Sequence, residues 1–168
     1  MNIMKTVRII FRILSITCYV GIALYGLLYI PLLFGFKSLT VENGSMVPEL
    51  NYGDLIYYQA IPREDIKVGT IVCFNKGEEV VCHRVAEISE EGDYYTKADA
   101  SETVDEGHLD YYQIEGKVAP NKVPIAGYVV KFINNNAWIV VIVAMIIAVQ
   151  ILLNLKKSDS KEENEKKK

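Results

Sequence analysis

From Ile13 to Phe36 the chain carries no charged side chain, and Ser15 and Thr17 supply its only aliphatic hydroxyls. A helix rises about 1.5 Å per residue, so a run of this length covers the roughly 30 Å of a bilayer's hydrocarbon layer. A second run, Ala137 to Leu155, is interrupted only by Gln150 and Asn154, and Trp138 stands at its start, where an amphipathic ring suits the membrane interface. Both runs are expected to be transmembrane helices. They divide the chain into a short N-terminus (1–12), a first span (13–36), a central segment (37–136), a second span (137–155) and a charged tail (156–168).

The first run exceeds the apolar stretch of about 7–15 residues typical of a cleaved signal peptide, and no small-x-small cleavage site follows it. A retained anchor is expected. Lys5, Arg8 and Arg12 precede the first span, and Lys156, Lys157 and Lys161 follow the second. The positive-inside rule then puts both termini in the cytoplasm and the central segment outside, as a two-pass protein of the plasma membrane.

The central segment holds 9 basic and 17 acidic residues, net −8. That balance excludes nucleic acid as a natural partner. The tail is almost wholly Lys, Glu, Asp, Ser and Asn, which bury nothing, so it is expected to be a disordered cytoplasmic end.

About 100 residues suffice for one modest core. Runs rich in Val, Ile and Tyr predict strands at Leu55–Gln59, Thr70–Phe74, Val80–Ile88, Tyr94–Lys97, Gln113–Val118 and Ile125–Phe132. Turn signals such as Asn51-Tyr52-Gly53-Asp54 and Glu91-Gly92-Asp93 separate them, and Ile61–Ile66 has room for one helical turn. The expected fold is mainly β: a small, partly barrel-like β-domain between two transmembrane helices.

Within it, Asn43-Gly44-Ser45-Met46-Val47-Pro48 places a serine between a flexible and a stiff neighbour. A serine hydroxyl needs a base of near-neutral pKa to lose its proton during attack. The chain has two histidines, His83 and His108, and His83 lies inside a predicted strand between Val81 and Val85. Such a base requires an orienting carboxylate, and Asp99 and Asp105 leave the next strand six residues apart; spacing does not choose between them.

Gly44-Ser45-Met46 with Pro48, Gly53-Asp54-Leu55-Ile56, Gly69-Thr70-Ile71-Val72-Cys73-Phe74, His83-Arg84-Val85, and Thr96-Lys97-Ala98-Asp99 with Asp105 resemble the ordered boxes of the type I signal peptidases. His83 stands where one branch of that family has a lysine, so the chain resembles the Ser-His branch of the endoplasmic reticulum, archaea and some Gram-positive bacteria. The resemblance implies Ser45 as nucleophile, His83 as general base, Asp105 as its orienting acid and Asp99 in support. It implies secretory pre-proteins as substrates, cut where the signal helix leaves the lipid bilayer, and admits an association with the export machinery.

Two positions depart from the family pattern: Ala98 replaces a glycine and Asn43 a serine. An asparagine amide can donate to a tetrahedral oxyanion, so Asn43 is expected to share that role with the backbone N–H of Ser45. No cofactor is expected. Nor is a metal, because Cys73, Cys82, His83 and His108 lack paired short spacings and adjacent Cys82 and His83 face opposite sides of a strand. A two-residue turn at Gly77-Glu78 would set Cys73 opposite Cys82, close enough for a disulfide; reduced core cysteines are the equal alternative, and Cys18 reads as apolar filler. The competing function is a membrane-anchored β-domain that binds or assembles exported proteins without cutting them.

Overall fold

The computed structural model describes residues 3–77 and 79–165. The chain separates into two compact units, one of residues 1–29 and 133–168 and one of residues 30–132.

The first unit is helical. Helix α1 (Ile3–Leu27) contains most of an apolar stretch, Ile9–Phe34, whose 26 residues are long enough to cross a membrane. Ile9, Ile10, Ile13, Ile16 and Leu24 are each more than half exposed, so this is not the core helix of a soluble bundle. Two of its hydroxyls bond its own backbone: Ser15 Oγ donates to the Phe11 carbonyl at 2.9 Å and Thr17 Oγ1 to that of Ile13 at 3.1 Å. Hydrocarbon offers such groups no other acceptor.

The last helix of the chain, Trp138–Glu165, packs beside α1. Over Trp138–Leu152 it is apolar, and a break separates it from the helix before it. Among the described residues, Ile9–Phe34 meets the length requirement for a crossing by itself. The tail expected to be disordered instead continues this helix through Glu165. Lys and Glu are strong helix formers, and extending a formed helix needs no new nucleus.

The second unit is built on six antiparallel strands: β1 (Lys37–Thr40), β2 (Leu55–Gln59), β3 (Ile71–Lys76), β4 (Glu79–Ile88), β5 (Tyr94–Lys97) and β6 (Ile114–Val118), in spatial order β1-β2-β6-β3-β4-β5. Five follow the predicted runs within two residues. A short 3-10 turn occupies Arg63–Asp65, within the stretch reserved for one.

Three expectations are corrected. The sheet is open, not barrel-like: β1 and β5 are its edges, and among the described residues the outer side of β5 takes only an isolated bridge, Tyr94 to Leu109. The run Ile125–Phe132 is not a strand but the start of helix α2 (Ala126–Asn135), so the final helix is α3. Its β-branched residues suggest a strand, yet the apolar positions 125, 128, 129 and 132 repeat at helical spacing. Strand β1, unpredicted, follows directly on the apolar stretch and is specified by its partner β2.

The sheet buries both faces. Met46, Leu50, Ile56, Tyr58, Cys73, Cys82 and Val118 form one cluster; Ile66, Val72, Phe74, Val85 and Tyr94 form another. Alternation along β3 explains the division, since Val72 and Phe74 belong to one cluster and Cys73 to the other. Lys76 pairs with Glu79 across a two-residue turn in which Gly77 takes φ +71°; Glu78, its other member, lies outside the described residues. That turn sets Cys73 opposite Cys82, and the two are joined in a disulfide.

Candidate active site

Ser45 sits on a short turn after β1. Met46 and Leu50, 2% and 4% exposed, anchor the turn in the first cluster, and the Leu50 N–H donates to the Met46 carbonyl at 2.8 Å. Ser45 itself stays half-buried above them. Asn43 is beside it: the Asn43 Oδ1 accepts from the Ser45 hydroxyl at 2.8 Å and from the Ser45 N–H at 3.2 Å. The asparagine thus presents its carbonyl oxygen, not its amide, to the serine. To act on an oxyanion, its side chain has to turn and release the Ser45 N–H.

His83 occupies β4 opposite Val72, on the face of Val85, with its ring edge-on to Phe74 at 6.0 Å. It is 9% exposed. Its Nδ1 lies 2.5 Å from Asp105 Oδ2, and the same oxygen accepts from Thr96 Oγ1 at 2.7 Å. A carboxylate only accepts, so Nδ1 carries the proton and the ring's lone pair is on Nε2. The loop after β5 brings Asp105 here: its N–H donates to the Thr96 carbonyl at 2.8 Å, folding the loop back along the strand.

Asp99 is taken by another partner. Arg84 Nε donates to its Oδ1 at 2.8 Å and a terminal guanidinium nitrogen to its Oδ2 at 2.6 Å, while the other terminal nitrogen reaches the Gly69 carbonyl at 2.9 Å. The Asp99 carboxylate, through these hydrogen bonds and its charge, raises the Arg84 pKa further above its already high value. Next to Asp99, the Ala100 N–H donates to the Ser45 carbonyl at 2.9 Å. The serine turn, the Asp99 loop and β4 are therefore tied in series.

The structure brings His83 together with Asp105, and Ser45 with Asn43; among the described residues no hydrogen bond joins Ser45 to His83. Motif reading left Thr96 and Arg84 without roles. Their signal is cross-strand: Arg84 pairs with Lys97 and Val85 with Thr96, which carries Thr96 and the loop beyond it to the neighbourhood of His83.

The disulfide removes Cys73 and Cys82 as metal ligands. His108 lies apart from the site, 3.7 Å from Asp93 and near Asp110 at the surface. A cleft of about 420 Å³ opens on the Arg84 side, between Leu50, Val68 and Pro120, and neither Ser45 nor His83 lines it.

No family model matches the chain. An 80-residue stretch is 32% identical to Signal peptidase I W of Bacillus subtilis (strain 168), covering 45% of this chain and 42% of that protein. The chain thus spans less than half the length of the curated relative it matches, and over that stretch it is similar to a signal peptidase I.

Proposed function

We propose that the chain is a membrane-anchored serine endopeptidase, a type I signal peptidase of the Ser-His kind, that removes signal peptides from secreted pre-proteins. The observation that carries this reading is the part-buried His83–Asp105 pair, 2.5 Å apart and backed by Thr96, on a strand tied through Arg84, Asp99 and Ala100 to the turn of Ser45. The partial likeness to a signal peptidase I supports the same reading.

In the proposed reaction, the Ser45 hydroxyl turns from Asn43 toward His83 Nε2, gives up its proton and attacks the scissile carbonyl. His83, held by Asp105, returns the proton to the leaving amine, and water then releases the acyl-enzyme by the same route. The Ser45 N–H and the Asn43 amide serve the oxyanion once Asn43 has turned. Asp99 supports through Arg84, and no metal or organic cofactor takes part. The substrate peptide binds extended, against an unpaired sheet edge.

Both apolar stretches cross the plasma membrane in this reading, with the termini cytoplasmic and the sheet outside. The cut then falls where a signal helix leaves the bilayer. Cleavage of a secretory pre-protein in membranes containing the chain tests the proposal: Ser45→Ala and His83→Ala abolish it if the reading is right.

One observation favours the non-catalytic alternative, a membrane-anchored binding domain: the Ser45 hydroxyl is turned to Asn43. Undiminished cleavage by Ser45→Ala, or none by the unaltered chain, would overturn the peptidase reading in favour of that alternative.

A further inference from the structure

The turn that carries Ser45 also carries the chain's only Asn-Gly pair, Asn43-Gly44. Asn43 is exposed, and its Oδ1 accepts from the Ser45 hydroxyl at 2.8 Å and from the Ser45 N–H at 3.2 Å. Both donors draw electrons toward Oδ1 and leave Cγ more open to attack. Both already stand where negative charge would gather if a nucleophile added to that carbon.

The nucleophile is the next residue's backbone nitrogen. Among the described residues the Gly44 carbonyl accepts from the Val47 N–H at 3.2 Å, while the Gly44 N–H donates to no partner. Neither conformation nor space reserves position 44 for glycine. Its φ is not positive, and a Cβ there would meet Val47 Cγ2 at 3.7 Å, an ordinary contact. What glycine does supply is a nitrogen that no side chain shields. Other asparagines of the same unit lack this combination. The Asn51 amide donates to the Pro48 carbonyl at 3.2 Å and the Asn75 amide to Glu115 at 2.6 Å, and Tyr52 and Lys76 follow them.

We propose that Asn43 is a site of self-modification, converted by the Gly44 nitrogen to aspartate and isoaspartate. The Gly44 N–H gives its proton to solvent hydroxide, and the nitrogen attacks Asn43 Cγ. The tetrahedral oxygen stays on the two Ser45 donors. The bond from Cγ to Nδ2 then breaks, and Nδ2 takes a proton from water and leaves as ammonia. A second water opens the succinimide at either carbonyl, so the sum is one water consumed and one ammonia released, with no change of oxidation state.

For the active site proposed above the product is inhibitory, and this consequence rests on the peptidase reading. A carboxylate only accepts. It keeps hold of the Ser45 hydroxyl and N–H, has no proton to offer an oxyanion, and opposes with its charge the one that forms there.

The test holds the full chain in detergent micelles at mildly alkaline pH and follows each asparagine by peptide mapping, with isoaspartate read by enzymatic methylation. Asn43 is expected to convert ahead of Asn51 and Asn75 in the same sample. Ser45→Ala, which removes one donor to Oδ1, is expected to slow the conversion about fivefold, the rate equivalent of one ordinary hydrogen bond. That difference should vanish in urea, where no turn holds the hydroxyl on Oδ1. Gly44→Ala, for which the turn has room, should slow it further by shielding the nitrogen. Conversion of Asn43 no faster than that of Asn51 would overturn the proposal. Equal rates in the unaltered chain and Ser45→Ala would overturn the part given to the turn. Cleavage of a pre-protein is measured separately with Asn43→Asp, which should lose it. Full cleavage by Asn43→Asp would overturn the inhibitory consequence alone, and no cleavage by the freshly made unaltered chain would overturn the peptidase reading while leaving the mass result standing.

Discussion

Arg84 grips Asp99 with two parallel hydrogen bonds, Nε to Oδ1 at 2.8 Å and a terminal nitrogen to Oδ2 at 2.6 Å. His83, its neighbour in the chain, points to the other face of the sheet and meets Asp105. Two aspartates that look interchangeable in sequence thus have different work, one structural and one directed at the imidazole.

Under the proposed function, Asp105→Asn is expected to lower pre-protein cleavage by about 10³- to 10⁴-fold, because an amide at this position no longer fixes the histidine tautomer. The fold should survive, since Thr96 can still donate to the amide oxygen. Single-turnover cleavage measured beside a thermal melt checks this; a melt lowered as much as the rate would make Asp105 merely structural.

For Asp99→Ala the order reverses. Arg84 keeps only the Gly69 carbonyl, so unfolding free energy falls by about 1–3 kcal/mol, while cleavage by the remaining folded protein drops less than in Asp105→Asn. Chemical denaturation of the two variants side by side gives the comparison.

How far the sequence shows this depends on the scale at which each feature is encoded. Strands such as Leu55–Gln59 and Tyr94–Lys97 are legible because composition and flanking turns are local. Helix α2 is not, because Ile125 to Ile133 satisfies strand composition and helical spacing at once, and packing of Gly127 against Gly53 and Thr40 decides. The open edge of β5 is a long-range outcome with no local mark. Likewise, spacing leaves Asp99 and Asp105 equal; the register that sets Arg84 opposite Lys97 separates them.

The disulfide closes a short loop, Cys73 to Cys82, nine residues apart. Cys73→Ala with Cys82→Ala is expected to cost about 2.5 kcal/mol, mostly by freeing the unfolded chain. Urea midpoints of this variant and of the unaltered protein, with and without reductant, test it: reductant should shift only the latter.

Glu115 offers a pH signature. Its carboxyl is held below the usual range, first by the hydrogen bond from Lys37 and then by that from Asn75. Its folded pKa is depressed, so its contribution is complete above the unfolded value of about 4.3 and is lost as pH falls through the folded one. The unaltered protein should therefore exceed Glu115→Gln in stability at neutral pH, with the gap closing in acid. A gap that is constant with pH would remove Glu115 from the account.

Gly116 tolerates no side chain. A Cβ there would lie 2.4 Å from the Gln59 carbonyl oxygen and 2.9 Å from the Ala60 nitrogen, and backbone of β2 cannot swing aside as a side chain can. Gly116→Ala is expected to destabilise the sheet by about 3 kcal/mol, read as a lowered melting temperature.

The bond between Cys73 and Cys82 also works as a frame-keeper. Side chains along a strand alternate, so a slip of β4 by a single residue against β3 would exchange its faces, turning His83 toward Met46 and Arg84 toward Val72 and Phe74. Hydrogen bonds in a ladder can re-form one step out of place. A covalent rung at Cys82 cannot, and it stands one residue from the imidazole, so the two strands can loosen and close again without ever reseating the histidine on the wrong side.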